Sequence, residues 1–453
     1  MKQRLVLAAV LATAALPAPA YAQAWLSDRR MGEGMGIRTG NLELHPGIGA
    51  EFGYDSNYLL AAKDPSRSED PLRLLRLRIT PSLSLSTLGP ERRGLNPGTP
   101  PSLNFRLSVY GDYSRLFAVE SKDSERVKAV QNPFNLGANL RLDIMPQRVI
   151  GEDIYADFQR VAQPTNQPND DVTWNRDAVR AGAGLTWRPG GGLFEWRFGY
   201  EFGYNYFESQ AFRVNNNFQH AAQTRGRWRF LPRTALMYDA EYRFIRYPNG
   251  SNVQDNPLPH DGDILRARVG LNGLVLPRLA LLGLVGWGTS FYENVRKNSD
   301  TILATVEAKY FVIPPPGLDA QGTASTGLST IAVGLVREVG NSYLSSYFIR
   351  TGGYASLVYF QGGAFVAQLD GGFYHYDFPQ GWQVQAFSQN RINARLFAEY
   401  RFSNSFGLNG TVAYDQNMSD QLAPAPGSGL SAAALDNLDF ARWQAFIGLR
   451  WFM

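Results

Sequence analysis

Arginine and carboxylate side chains recur at every second position in several stretches of this 453-residue chain. Arg225, Arg227 and Arg229 form one such series, and Asp239 and Glu241 belong to another. Residues two apart in an extended chain point to the same side, so each series would present its charges on one face. A guanidinium group forms bidentate pairs with carboxylates, and it attracts free anions where no carboxylate is near. The pattern therefore predicts a wall of ion pairs, with an anion-conducting surface as the alternative.

The candidates for this polar face, which we expect to line the interior of a pore, include two tyrosines. Their rings could fill space in a wall or serve as a slide for sugar rings. The full set is Arg76, Arg78, Arg106, Arg141, Arg197, Arg225, Arg227, Arg229, Arg243, Arg266, Arg268, Glu195, Glu201, Asp239, Glu241, Tyr374 and Tyr376.

The chain lacks the usual sequence patterns of catalysis. It contains no cysteine, and its four histidines are scattered, so disulfides, thiolate metal sites and cysteine nucleophiles are excluded. No G-x-S-x-G, H-E-x-x-H or phosphate-loop pattern occurs. We therefore expect no enzymatic activity, no catalytic residue, no metal and no cofactor.

The element that would position the charged residues is clearest between Leu193 and Phe207. Large aromatic side chains occupy every second position there, and Glu195, Arg197 and Glu201 fall between them. An extended strand of this kind is aromatic on one side and polar on the other. A soluble sandwich would bury the aromatic side, whereas a transmembrane barrel would turn it to lipid and the charges to a wet interior.

From Leu42 onward the period of two recurs in about 18 candidate strands. The junctions alternate between short turns and longer polar connections, with 89–101 and 312–325 as long exceptions on the short side. Bacterial outer-membrane barrels alternate short periplasmic turns with longer outer loops. We therefore predict an all-β fold, a transmembrane antiparallel up-and-down β-barrel of about 18 strands with no plug domain, wide enough to enclose water. Both faces are apolar or small in 278–293, 326–338 and 343–360.

The N-terminus has the features of a cleavable secretory signal. Residues 1–22 contain a basic start, an apolar run and an Ala-x-Ala cleavage site. We expect residues 23–41 to form a short periplasmic segment without periodicity and residues 42–453 to form the barrel. No later apolar run reaches about 20 residues, which excludes a helical membrane protein. The formal charge of +4 is small for this length and favours no nucleic-acid partner.

The last strand carries a second targeting signal. Gly448-Leu449-Arg450-Trp451 resembles the glycine–apolar–x–aromatic signal that the outer-membrane assembly machinery recognises on final strands. We therefore expect that machinery, outer-membrane lipid and lipopolysaccharide as partners. The expected location is the outer membrane of a Gram-negative bacterium.

The first strand ends in Tyr54-Asp55-Ser56-Asn57. This segment resembles the start of the beta-barrel porin 2 family, whose first strand runs into a Tyr-Asp-Ser-Asn-aromatic sequence. The resemblance implies an outer-membrane barrel linked to export of exopolysaccharide or capsular polysaccharide. It also implies a polysaccharide substrate, a periplasmic polysaccharide export protein and an inner-membrane copolymerase as partners. It carries over no catalytic residue.

Three functions remain compatible with the sequence. The first is a passive outer-membrane conduit for export of a secreted exopolysaccharide or capsular polysaccharide. The second is a general or solute-selective diffusion porin of the same architecture. The third is a structural or adhesive barrel whose outer loops carry the function.

Overall fold

The computed structural model describes most of the chain from residue 36 onward. The described ranges are 36–62, 70–88, 102–130, 132–162, 175–250, 260–292, 298–312, 329–342, 345–361, 364–380, 384–420, 423 and 438–453. The predicted signal peptide, 1–22, and most of the predicted segment 23–41 lie outside the described residues.

Strands dominate the described residues, with one short helix between the fourth and fifth strands. The helix is α1 (Ser124–Ala129). The strands are β1 (Ile37–Thr39), β2 (Leu42–Asp55), β3 (Leu74–Thr87), β4 (Leu103–Ala118), β5 (Phe134–Ile144), β6 (Ile150–Val161), β7 (Arg176–Trp187), β8 (Phe194–Phe207), β9 (Asn217–Leu231), β10 (Thr234–Arg246), β11 (Gly262–Leu276), β12 (Leu279–Tyr292), β13 (Asp300–Phe311), β14 (Thr330–Asn341), β15 (Tyr347–Gln361), β16 (Phe365–Phe378), β17 (Phe387–Arg401), β18 (Phe406–Ser419) and β19 (Phe440–Phe452).

The sheet closes on itself. Each strand from β2 to β19 pairs antiparallel with its neighbours in the chain, and β19 pairs with β2, from Gln444 opposite Asp55 to Phe452 opposite Gly47. The result is a closed antiparallel barrel of 18 strands with β1 outside it. Closure gives every strand from β2 to β19 a neighbour on both sides, as a barrel in lipid requires. This confirms the predicted all-β barrel and its strand number.

The two faces of the wall differ as the alternation predicts. On β8, Phe198 and Tyr200 are each 51% exposed on the outer face, whereas Arg197 is 5% and Glu201 7% exposed on the inner face. An apolar outer face with a packed polar inner face is the arrangement of a transmembrane barrel, the reverse of a soluble protein. No helix within the described ranges has the length and apolar character needed to span a membrane.

Strand β1 was not predicted, because the sequence around it has no period of two. It lies in the predicted segment 23–41, of which the structure describes residues 36–41. β2 extends beyond the end of β19, and Ile37–Thr39 pairs with the part left over, Ile37 opposite Leu44 and Thr39 opposite Leu42. An unpaired edge with free N–H and C=O groups recruits any chain that can reach it. The pairing partner, and not the local pattern, therefore makes this segment a strand.

The connections distinguish the two ends of the barrel, here called the short-turn end and the long-loop end. The short-turn end holds 145–149, 188–193, 232–233, 277–278, 362–364 and 402–405, besides two longer connections, 88–102 and 312–329. The long-loop end holds 56–73, 119–133, 162–175, 208–216, 247–261, 293–299, 342–346, 379–386 and 420–439.

Near the long-loop end the wall separates between β13 and β14. Ala304 opposite Arg337 is their last pair, although β13 extends to Asp300 and β14 to Asn341. Those unpaired ends stay bonded to their other neighbours, β12 and β15. Residues 337–341 and 347–351 therefore form a hairpin that departs from the wall, named here the inner hairpin.

The inner hairpin packs on the inner face of β10 to β13. Arg337 Nη2 donates to Thr301 Oγ1 at 3.1 Å, and the Tyr292 hydroxyl donates to Asn341 Oδ1 at 2.6 Å. A Cβ at Gly288 would lie 2.8 Å from a Leu303 methyl and 2.9 Å from a Val339 methyl, so a larger residue there would force these side chains to shift. The buried apolar cluster is Ile245, Tyr247, Ile264, Tyr292, Leu303, Val339 and Tyr347.

This packing explains the weak alternation in the sequence of β12, β14 and β15. The hairpin is apolar on the face that packs on the wall, and β12 is apolar both on its outer face and where the hairpin covers its inner face. A strand covered in this way has no reason to alternate between apolar and polar residues.

Candidate functional site

Arg197, near the start of β8, forms one of the most completely paired groups of the inner wall. Its Nε and Nη2 atoms donate to the two carboxylate oxygens of Asp153 on β6, at 2.6 and 2.5 Å. Two parallel bonds to one carboxylate fix both position and orientation. Asp153 was absent from the predicted set, although it lies two residues before Tyr155 and therefore on the same face of β6.

A longer network connects four strands around Arg243 of β10. Arg243 donates to Glu201 of β8 at 3.0 Å and to Glu241 at 3.0 Å, and Arg266 of β11 reaches Glu241 at 2.5 Å. The hydroxyl of Tyr155, on β6, donates to Glu201 at 2.7 Å. Arg243 is therefore shared by two acids and Glu241 by two arginines, so the two cations and the two acids leave little net charge on this part of the wall.

The other paired members of the predicted set repeat this pattern. Arg78 bonds Glu51 at 2.6 Å, Arg268 bonds Asp239 at 3.0 Å, Arg227 lies 3.4 Å from Glu195, Arg141 lies 3.3 Å from Asp157, and Arg76 lies 3.3 Å from Asp55. Glu195 is shared with Arg188 at 3.1 Å. The wall thus consists largely of arginine–carboxylate pairs between strands.

Three predicted arginines differ from the others. Arg229 donates to the backbone carbonyl of Gly192 at 2.7 and 3.1 Å. Arg106 and Arg225 make no ion pair within 4.0 Å among the described residues, and Arg225 lies exposed beside a pocket of about 470 Å³. Arg227, Asp239 and other residues of the network line the same pocket. Among the described residues, Arg225 is therefore the charged side chain of this pocket lining without an ion pair, and Asp239 lies opposite it in the strand register.

Removing the charge of Arg225 should lower the anion preference of the pore. We expect Arg225→Gln to reduce the chloride-to-potassium permeability ratio by about 1.5- to 2-fold at 0.1 M KCl, where the screening length is about 10 Å. The measurement is the reversal potential of single channels in a KCl gradient. At 1 M KCl, where screening acts within about 3 Å, the difference should disappear. An unchanged ratio at low salt would show that Arg225 does not contribute to the field in the pore.

The Tyr54–Asn57 motif lies where the barrel closes. Asp55 is fully buried, and its carboxylate accepts from Arg442 Nε at 2.9 Å, Gln444 Nε2 at 2.7 Å and Arg76 Nη1 at 3.3 Å. These donors come from β19 and β3, the two neighbours of β2. One carboxylate therefore connects the first strand of the barrel to the last.

The rest of the motif forms further contacts across the seam, the junction between β2 and β19. The Ser56 amide donates to the Trp443 carbonyl at 3.0 Å, and the Trp443 amide donates back to Ser56 Oγ at 2.9 Å. Asn57 Nδ2 donates to the Ala441 carbonyl at 3.2 Å and to the Ala61 carbonyl at 2.9 Å. The Tyr54 and Trp443 rings lie 4.8 Å apart on the outer side. The motif therefore has a structural role in this barrel. Sequence reasoning had missed Arg442, its main partner.

Tyr374 and Tyr376 share one face of β16, 6.4 Å apart between ring centroids. Asp370, on the same face, accepts from Ser356 of β15 at 2.6 Å, whereas Phe373 and Leu369 on the opposite face are exposed like the rest of the outer surface. The structure thus places the two tyrosines on the inner face, on the other side of the barrel from Arg225.

A charged group marks the outer face at the long-loop end. Glu208, just after β8, accepts from Arg160 at 2.7 Å and from Asn175 at 3.2 Å. The Arg160 hydrogen bond is the main cause that lowers the pKa of Glu208 below its usual value. Asp177 lies 4.0 Å from the same guanidinium. The apolar outer band ends at this group.

Within the described residues, no group of three or more histidine, aspartate or glutamate side chains is placed to hold a metal ion.

The closed sheet, its exposed apolar outer face and its ion-paired interior define a porin-like β-barrel of the outer-membrane type. No family model matches the chain, and no curated protein matches it.

Solved structures with a similar course of the chain are outer-membrane barrels. The vanillate complex of OpdK from Pseudomonas aeruginosa is 11% identical, with 90% of this chain and 98% of that chain covered and a TM-score of 0.43. OccAB4 from Acinetobacter baumannii is 10% identical, with 92% and 99% covered and a TM-score of 0.43. A bacterial polysaccharide outer membrane secretin is 9% identical, with 92% and 99% covered and a TM-score of 0.33. These scores are low, so the class follows from this chain's own sheet.

Proposed function

We propose that the protein is an outer-membrane conduit through which a secreted exopolysaccharide or capsular polysaccharide leaves the cell. The observation that carries the proposal is the inner wall, where arginine–carboxylate pairs on β6, β8, β10 and β11 neutralise one another. Barrels of 16 to 18 strands enclose an aqueous channel. A hydrated wall of low net charge provides many hydrogen-bonding groups for a polymer and no strongly charged site that would hold it in place.

The proposal places the long-loop end outside the cell and the short-turn end in the periplasm, in the orientation usual for such barrels. The outer face would contact lipid, and the charged group at Arg160 and Glu208 would lie at the level of lipopolysaccharide head groups. Polymer would arrive from a periplasmic polysaccharide export protein and an inner-membrane copolymerase. The chain would reach its location by the signal at residues 1–22 and the outer-membrane assembly machinery.

The second candidate is a general or solute-selective diffusion porin. The inner hairpin favours it, because a hairpin packed on the inner face of β10 to β13 reduces the open cross-section. A narrowed pore discriminates among small solutes, whereas a polymer needs the width to remain open along its path.

Deleting the gene and recording single channels separates the two functions. The conduit predicts that surface polysaccharide is lost or retained in the periplasm, while uptake of small nutrients is unchanged. The diffusion porin predicts normal polysaccharide and a reduced rate of small-solute uptake. A pore of constitutively high conductance, together with unchanged polymer export after deletion, would reject the conduit.

A further inference from the structure

The inner face at the long-loop end carries a column of aromatic rings. Tyr374, Tyr376 and Phe378 alternate on β16, with centroids 6.4 Å apart for the first pair and 6.1 Å for the second. Phe348 of the inner hairpin lies 5.6 Å from Tyr376, and Phe387 stacks on Phe378 at 4.4 Å with 4° between the ring planes. The rings of β16 are partly exposed, so the column presents an apolar surface to the interior.

Tyr374 lies along the wall. Its ring covers Gly352 on β15 and Gly372 on its own strand, where an added Cβ would come within 2.6 Å and 2.5 Å of ring carbons. Two glycines under opposite edges of one ring leave its other surface turned away from the wall. By comparison, the hydroxyls of Tyr155 and Tyr354 donate to Glu201 at 2.7 Å and Glu307 at 2.6 Å as parts of the ion-pair wall.

Two cations beside the column are already neutralised. The Arg350 guanidinium lies over the Tyr374 ring, 4.9 Å from its centroid, and pairs with Glu338 at 2.7 Å. Arg391, opposite Tyr374 in the strand register, donates to both oxygens of Asp415 at 2.9 and 2.7 Å. The column therefore combines aromatic rings with hydrogen-bonding groups of low net charge, among them the neutralised Arg350 guanidinium over Tyr374.

We propose that Tyr374, Tyr376 and Phe378, with Phe348 beside them, form a track that binds successive sugar rings of an uncharged or sparsely charged hexose polymer. The C–H face of a pyranose ring packs on an aromatic face, and its hydroxyl groups hydrogen-bond to flanking polar groups. A row of equivalent sites lets a chain move from ring to ring without leaving the wall. This inference rests on the proposed conduit and names the class of its substrate.

The position of the track supports this use. Phe348 and Arg350 belong to the inner hairpin, on the face opposite to the one that packs on β10 to β13. The track therefore borders the part of the interior that the hairpin narrows. A polymer that passes this level must come close to the rings.

The test measures the block of single-channel current by maltohexaose in planar bilayers. We expect the double variant Tyr374→Ala with Tyr376→Ala to weaken maltohexaose binding about tenfold. A change of this size corresponds to the loss of roughly one aromatic contact with the sugar. Phe373→Ala is the matched control, since Phe373 directly precedes Tyr374 in the sequence but is 50% exposed on the outer face. It should leave the block unchanged. Heat-modifiable electrophoretic mobility confirms that each variant folds.

The charge of the substrate is tested with an oligogalacturonate of six residues. The track predicts that maltohexaose binds at least as tightly as this acidic oligomer, and that the double tyrosine variant weakens maltohexaose the more strongly. Tighter binding of the acidic oligomer, lost in Arg225→Gln and not in the tyrosine variant, would overturn the track in favour of an anion site.

The two proposals fail in different ways. If channels conduct and deletion abolishes polymer export, but maltohexaose block is the same in the tyrosine variant as in the native protein, the track is wrong and the conduit stands. If deletion leaves export intact while maltohexaose block depends on Tyr374 and Tyr376, the conduit is wrong and the rings serve uptake of small sugars.

Discussion

Replacing Asp55 with alanine is expected to lower the free energy of unfolding of the barrel by about 3–5 kcal/mol, because it leaves buried charges without their partner. The Asp55 carboxylate is fully buried and holds Arg442, Arg76 and Gln444 together across the closing seam. The Arg76 and Arg442 side chains are only 10% and 16% exposed, so water cannot replace the lost acceptor easily. The loss should increase the rate at which β2 and β19 separate.

Guanidinium chloride unfolding in detergent micelles, followed by electrophoretic mobility and tryptophan fluorescence, measures this effect. Asp415→Ala is the matched control, because Asp415 also accepts two bonds from one arginine, Arg391. That pair is more exposed, at 29% and 43%, and its loss should cost less than about 1 kcal/mol. Equal losses for Asp55→Ala and Asp415→Ala would mean that the seam network does not hold the barrel closed.

Releasing the inner hairpin is expected to raise the single-channel conductance. The Val339 side chain is completely buried between Gly288 and Leu303. Val339→Asp places a carboxylate among apolar groups, which disfavours the packed position by about 2–4 kcal/mol even after partial relaxation. Since each 1.4 kcal/mol changes an equilibrium about tenfold, the hairpin should leave the wall in a large fraction of molecules. Planar-bilayer recordings should then show larger and noisier currents than those of the native channel.

A pair of cysteines provides the opposite variant, and the chain contains no native cysteine that would interfere. Gly288→Cys with Val339→Cys brings two thiols together, because a Cβ at residue 288 would lie 2.9 Å from a Val339 methyl, although the Leu303 methyl 2.8 Å from that Cβ must shift. We expect the oxidised variant to keep the native conductance, because the disulfide holds the hairpin on the wall. A Val339→Asp channel with native conductance, in protein whose heat-modifiable mobility shows correct folding, would mean that the inner hairpin does not limit the pore. Val339→Ser is a milder change, so its conductance should lie between those of the native channel and Val339→Asp.

Much of this architecture can be predicted from the local sequence pattern of each strand. The alternation of β8 predicts which side chains face outward and which face inward, because side chains of an extended strand alternate whatever its neighbours are. Even the segments with weak alternation, 278–293, 326–338 and 343–360, coincide with β12, β14 and β15 to within a few residues. The family-like Tyr54–Asn57 motif was also visible, although its role was not.

The pairings of the charged groups were not local information. Arg197 and Asp153 are 44 residues apart in the sequence, and Arg442 and Asp55 are 387 apart. At such separations only the strand register and the closure of the sheet determine which side chains pair. Strand β1 exists because β2 offers an unpaired edge, and the inner hairpin exists because β14 ends its pairing with β13 early. The sequence alone thus determined that the chain is a barrel with a polar interior, since a period of two needs no partner. Only the tertiary structure decided which arginines are neutralised, how the seam is held and where the aromatic column meets the narrowed interior, because each of these depends on strands far apart in the chain.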